Sequence, residues 1–392
     1  MQLTDSSMSK QNFSAVFFLL TIILAAGSVL AQQAPDARTA PPSTPQQSAG
    51  SPAASPSSAS PPAKTSLPAG IDPKTMQPLY ESIEEDWSSL EVGVGNLEPM
   101  PPVVGEVDDQ REFTRLLVEV KWRLGDPIDL WIILPKGVKK PPTVLYLYNA
   151  DEDTARFRDN RWCERVTSGG VAAVGFVSAL SGPRFHDRPL KQWFVSELQE
   201  SIGSTVHDVK FILDYLAQRG DVDMNRIGMF GEGSGGAIAI LAAAADPRIK
   251  AVDTLNPWGD WPDFLAKSPV AQADPNHDDF VKPEFLKKVA NLDPVKWLPT
   301  LKVPIRIQQV RQNLATPMEA MDSIKAAAPQ QAEILRFEAL DDLGKREAHG
   351  ILFQWMKSRL QELDKPGAKP GAAAAVEKTP HSEMQNDPSS HR

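Results

Sequence analysis

Arg226-Ile-Gly-Met-Phe-Gly-Glu-Gly-Ser-Gly-Gly-Ala-Ile-Ala-Ile240 is the stretch that decides the fold. Its first half is short and apolar, the pattern of a buried strand. Its second half is small and Ala-rich, which suits a helix lying close against a sheet. Gly231 to Gly236 leave no room for a loop between them, so the chain must turn sharply from strand into helix. The first N–H groups of such a helix lack partners in their own helix and can hold an anion or a developing oxyanion.

Outward from this corner the chain alternates between strand and helix patterns. Val206, Val209, Leu213 and Leu216 form a helical stripe that predicts a helix over 204–219, with Ser204 as its cap and Gly220 as its end. Further upstream, Phe113 to Trp122 alternates as an edge strand and Pro127 to Leu134 follows it, with Gly125-Asp126 between them as a hairpin turn. Residues 73–108 read as a helical and looped lead-in. Thr143 to Tyr148 and Val171 to Val177 are solid apolar runs, as central parallel strands require. Downstream, Ile249 to Leu255, Val303 to Gln308 and Ala332 to Leu340 read as strands, with an amphipathic helix closing the domain over 350–363. Strand–helix alternation of this kind predicts an α/β fold: a mostly parallel sheet, helices on both faces and right-handed crossovers.

Within that frame the sequence resembles the α/β-hydrolase family, in its esterase and prolyl-oligopeptidase-like branch, where dienelactone hydrolases and acetyl xylan esterases belong. The likeness rests on Asp208-Val-x-Phe-Ile-Leu-Asp-Tyr-Leu216, on Val222-Asp-x-Asn-Arg-Ile-Gly228 and on the glycine corner, and it covers roughly 113–362. The family's elbow reads Gly-x-Ser-x-Gly-Gly, the nucleophile standing two residues after the first Gly. Aligned without a gap, Gly231 is that first glycine and Gly235-Gly236 the closing pair, which puts Gly233 at the nucleophile position. Ser234, the corner's one hydroxyl, stands a residue late. Shifting the register to make Ser234 the nucleophile puts Glu232 where a small residue belongs.

The resemblance also implies a His before the closing helix, and His349-Gly350 stands there. It implies an acid after the strand that begins Val303-Pro304, and that position carries Asn313. An amide can accept a ring N–H but supplies no charge to an imidazolium; in a serine protease the same exchange costs about 10⁴ in rate. Many relatives have His-Gly after the strand that ends at Tyr148, where the backbone helps form the oxyanion hole; this chain has Asn149-Ala150. Three altered parts of one machine point to a hydrolase fold without hydrolase chemistry, with a ligand-binding or envelope-associated role instead. The rival reading is a serine hydrolase of ester or peptide bonds using Ser234 and His349. Its acid would be Asp341, Asp342, Asp260 or Asp263, with the Gly235 or Ala237 N–H in the hole. Residues 256–302, rich in Trp, Pro and Asp, are expected to form a small helical cap over the site.

Other residues are weaker candidates. Glu232 at the corner faces the former active site, where it could fill the anion hole or bind a cation. Trp258, Trp261 and Trp297, with Asp260, could line a pocket for sugar or peptide, or pack the cap on the sheet. Asp221, Asp223, Asn225 and Glu232 imitate calcium-loop spacing, but Arg226 stands where the loop needs Gly and the intervening residues must be a strand. Arg219-Gly220-Asp221 spells an adhesion tripeptide at an ordinary helix-to-strand turn. No metal or cofactor is expected, and the partner expected is a small molecule or peptide.

Composition narrows the rest. The 392 residues are 41% hydrophobic and 23% charged, with a formal net charge of -9, which argues against nucleic acid as a partner. Cys163 is the single cysteine, so no internal disulfide can form. Residues 1–31 read as an export signal: Lys10, an apolar run Phe13 to Ala26, and Val29-Leu30-Ala31 as cleavage site. Periplasmic or secreted location follows, with an uncleaved membrane anchor as the alternative. Residues 32–70 hold nine Pro and eight Ser and read as a disordered linker, and the tail from Pro366 reads likewise. The folded domain is expected over 71–365.

Overall fold

Runs of apolar residues buried on both faces need layers above and below them, and the sheet supplies that arrangement. The computed structural model describes residues 100–122, 127–150, 152, 154–180, 184, 194–274, 277–312, 315–348 and 351–363. Nine strands form one sheet: β1 (Val103–Asp109), β2 (Phe113–Val120), β3 (Ile128–Pro135), β4 (Thr143–Leu147), β5 (Ala172–Gly175), β6 (Ile227–Glu232), β7 (Ile249–Leu255), β8 (Ile305–Val310) and β9 (Glu333–Phe337). Their order is β1-β2-β3-β5-β4-β6-β7-β8-β9. The first three and the β3–β5 pair are antiparallel, and every pairing from β5 through β4 to β9 is parallel.

The helices are α1 (Ala155–Arg158), α2 (Asn160–Thr167), α3 (Phe194–Arg219), α4 (Ser234–Ala245), α5 (Trp261–Lys267), α6 (Pro269–Gln272), α7 (His277–Phe280), α8 (Pro283–Val289), α9 (Pro294–Trp297), α10 (Met318–Ala327), α11 (Leu340–Ala348) and α12 (Ile351–Glu362). Strand side chains divide between two cores by alternation. Leu130, Ile132, Leu145 and Leu147 face Val206, Leu213 and Ile238 of α3 and α4. Trp131, Ile133, Val144 and Tyr146 face Trp162 of α2 and Met356 and Leu360 of α12.

Two expectations are corrected. The lead-in over 73–108 contains a strand, because residues 103–109 form β1; β2 is therefore the second strand and not the edge. Val103, Val104 and Val107 are exposed and a bulge between Val104 and Glu106 breaks the register, so the segment lacks the one-sided alternation that marks a half-buried strand. Ser204 does not cap a helix, because α3 begins at Phe194; Ser204 and Thr205 are buried inside it, and Thr205 Oγ1 accepts the Ala179 N–H at 2.9 Å. The Gly125-Asp126 turn, the export-signal stretch, the Pro/Ser-rich linker and the tail from Pro366 lie outside the described residues. Among the described residues no helix is long and apolar enough to cross a membrane.

Candidate functional site

Parallel pairing of β4 with β6 places Leu147 beside Gly231, so the chains leaving these strands run side by side and Asn149 meets Gly233. Gly233 has φ 55° and ψ −117°, a conformation that residues with a side chain seldom adopt. It is fixed from all sides. Its N–H donates to Leu255 O at 2.9 Å, and its own carbonyl accepts from Gly236, Ala237 and Trp258 N–H at 3.1, 3.2 and 3.0 Å. Gly233 is thus the strained residue between strand and helix.

The next N–H, that of Ser234, opens α4 and is the donor an oxyanion would use. It is occupied. Asn149 Oδ1 accepts the Ser234 N–H at 3.0 Å and the Ser234 Oγ–H at 3.3 Å. A Cβ at position 233 would stand 2.7 Å from Asn149 Cγ and closer still to its Oδ1. The amide oxygen of Asn149 therefore fills the space in which a nucleophile side chain would begin. Ser234 itself is fully buried on the first turn of α4. The Ala237 N–H, expected as a possible donor in the hole, closes the first helical turn on Gly233 O. Gly235 packs α4 onto β4: a Cβ there would come within 2.7 Å of the Leu147 carbonyl carbon and of Tyr148 O.

Beside this plug lies a group of side chains of which the motif reading picked out only Glu232. Tyr148 is buried, and burial pushes its hydroxyl well above the ordinary phenol range. Trp162 Nε1 donates to its oxygen at 3.2 Å, and the Arg156 guanidinium stacks on its ring at 4.1 Å. Both Glu152 oxygens accept from Arg156 Nη2, at 3.0 and 2.8 Å. Half-buried Glu232 acts electrostatically on both Tyr148 and Arg156, raising the pKa of each. The i,i+4 spacing of Glu152 and Arg156 was a readable signal for this pair; the approach of Glu232 was not.

The segment after β7 is anchored more than open. Asn256 (φ 44°) accepts the Val310 N–H on its Oδ1 at 2.7 Å and Thr316 Oγ on its carbonyl at 3.2 Å. Asp260, in the left-handed region (φ 54°), and Trp261 donate their N–H groups to Asp293 at 2.9 Å each. Trp258 packs 4.9 Å from the Phe264 ring, and both Trp258 and Trp261 are buried in the main core. Of the two sequence readings for these tryptophans, packing describes their surroundings.

Among the described residues the remaining candidates do not converge. Asn313 and His349 lie outside the described residues. Asp263 pairs with Lys267 and Asp342 with Lys345, while Asp341 is exposed. Asp221 pairs with Arg219 and Asp223 with Arg226 before β6 begins, whereas Glu232 ends that strand, so the calcium-like spacing builds no shared site. Among the described residues no three His, Cys, Asp or Glu side chains are grouped to hold a metal ion. Cys163 is buried, and burial pushes its thiol above the ordinary range.

No family model matches the chain, and no curated protein matches it by sequence. By structure it is similar to an acetyl xylan esterase from Paenibacillus sp. R4, at 17% identity and a TM-score of 0.53, over 67% of this chain and 90% of that one. A glucuronoyl esterase from Solibacter usitatus gives 14% identity and a TM-score of 0.48, over 74% and 98% of the two chains. The mostly parallel sheet, the glycine corner at the end of its central strand and the likeness to the Paenibacillus enzyme show that this chain has the α/β-hydrolase fold.

Proposed function

We propose that this protein is an exported α/β-hydrolase-fold protein that has lost hydrolysis and binds a small molecule or peptide at the former active site. The observation that carries this reading is the Gly233–Asn149 pair. The strained seat between strand and helix has no side chain, and the neighbouring N–H that would stabilise an oxyanion is taken by the chain's own amide oxygen. Catalysis by acyl transfer needs a nucleophile and open donors together. Ser234 supports the same reading, being buried and directed at Asn149. Export rests on the Phe13 to Ala26 apolar run and the Ala31 cleavage pattern.

The rival is an active esterase or peptidase using Ser234 and His349, and the fold likeness to an acetyl xylan esterase makes esters its natural substrates. Fluorophosphonate labelling of the purified mature protein, beside Ser234→Ala and His349→Ala, separates the two. Folded parent protein is expected to stay unlabelled. Labelling that disappears in both variants would overturn the proposal and make Ser234 a displaced nucleophile. N-terminal sequencing of secreted material is expected to begin near Gln32.

A further inference from the structure

On one face of the sheet the helical layer stops short of the edge. Cross-strand partners share a face, so Val104 opposite Val118 and Val107 opposite Leu116 belong to the face that α3 covers. Val118 is fully buried there, whereas Val104 and Val107 are 56% and 60% exposed. Among the described residues β1 pairs on one side only, and α3 leaves both valines open. Between the start of β1 and the last turns of α3 the surface dips into a groove of about 320 Å³, whose lining includes Met100, Pro102, Val120, Phe211, Tyr215 and Ala217. Val120 and Phe211 are buried members of the main core, so the groove and the two valines carry that core out to the surface as one apolar strip.

The chain carries a segment of matching pattern just ahead of Met100. Leu79, Ile83, Trp87 and Leu90 recur at helical spacing, while Glu81, Glu84, Glu85 and Ser88 fall on the opposite side. Pro78 stands where a proline favours a helix start. A helix over 79–90 measures about 18 Å, and the seven residues of β1 span about 23 Å. Residues 91–99, with Gly93 and Gly95, reach up to about 30 Å and join it to Met100. We infer that residues 79–90, which lie outside the described residues, dock as an amphipathic helix on this strip, covering Val104 and Val107 and seating Trp87 in the groove beside Met100 and Phe211. A second copy of the chain is the poorer occupant. Pro101, Pro102 and the bulge between Val104 and Glu106 spoil strand pairing along this edge. A segment tethered so close also acts at an effective concentration on the order of millimolar, which a separate copy does not reach.

Amide hydrogen exchange of the mature protein tests it, with the parent beside Ile83→Asp and Trp87→Ala. Each variant should speed exchange about tenfold in β1 and in the 211–218 turns of α3 while leaving α4 unchanged. Unchanged exchange in the strip overturns the inference, and so does a rise no greater there than in α4. Disulfide trapping gives a second reading that does not depend on those variants. Ile83→Cys with Val104→Cys should close an intramolecular bond on mild oxidation. Ile83→Cys with Val138→Cys should not, because Val138 is an exposed valine beyond the end of β3 and outside the strip. Cys163 is buried and does not compete. No trapping at Val104, or equal trapping at Val138, overturns the docking. Disulfides formed between chains overturn it in favour of a second copy.

Discussion

At the scale of single residues, Gly233 and Asn149 form a coupled pair. Any side chain at 233 meets two costs: a backbone conformation worth about 1–3 kcal/mol of strain outside glycine, and collision with the Asn149 amide. Gly233→Ala is therefore expected to lower unfolding free energy by at least that strain. Adding Asn149→Ala should return the collision part and leave the strain part. Urea denaturation of both singles and the double gives the cycle, and strictly additive losses would show that Asn149 does not fill the nucleophile seat. The glycine at the seat was readable from the chain alone, since the ungapped register puts Gly233 there. The plug was not. Asn149 was visible only as a departure from His-Gly, and its oxygen reaches Ser234 across 85 residues of sequence.

At the scale of elements, a buried ion pair joins β7 to β8. The register sets Asp253 opposite Arg306. Arg306 donates to both Asp253 oxygens, at 3.0 and 2.6 Å, Gln308 adds a third bond at 3.0 Å, and the guanidinium stacks on Trp355 of α12 at 4.9 Å. Both charged side chains are almost completely covered. Removing one partner strands the other, so Asp253→Ala is expected to cost about 3–5 kcal/mol in urea unfolding. The paired change Asp253→Leu with Arg306→Met should cost clearly less. If the single and paired variants lose equal stability, the pair is not what makes the site sensitive. From sequence, Val303-Pro-Ile-Arg-Ile-Gln308 already read as a strand, but nothing local said that Arg306 would be covered. That depends on α12, whose Trp355 comes from about fifty residues further along.

For the whole molecule, acid should act through carboxylates that hydrogen bonds and arginines hold in the ionised form. Burial pushes the Asp223 carboxyl upward, but the Asn225 N–H and the Arg226 guanidinium together hold it below its ordinary value of 3.8. Bonding to Arg336 likewise holds Asp322 low, joining α10 to β9. A carboxylate with a depressed native pKa binds fewer protons folded than unfolded, so its contribution is present above pH 3.8 and is lost as pH falls through the native value. Melting temperature measured from pH 5 to pH 2 should therefore fall, and Asp223→Asn should be less stable at pH 5 yet decline less steeply. A variant with the parent's slope would remove Asp223 from the account. By itself the sequence determined an α/β fold and a sharp strand-to-helix corner with glycine at position 233, because apolar periodicity and glycine placement are local properties of the chain; the α/β-hydrolase fold was what its resemblance implied. Tertiary structure alone decided that β1 extends the sheet, that Asn149 closes the donor at Ser234 and that Arg306 is buried against Trp355. The last two depend on side chains meeting across elements distant in sequence, and β1 on a bulged register with exposed valines, neither of which a local apolar pattern encodes.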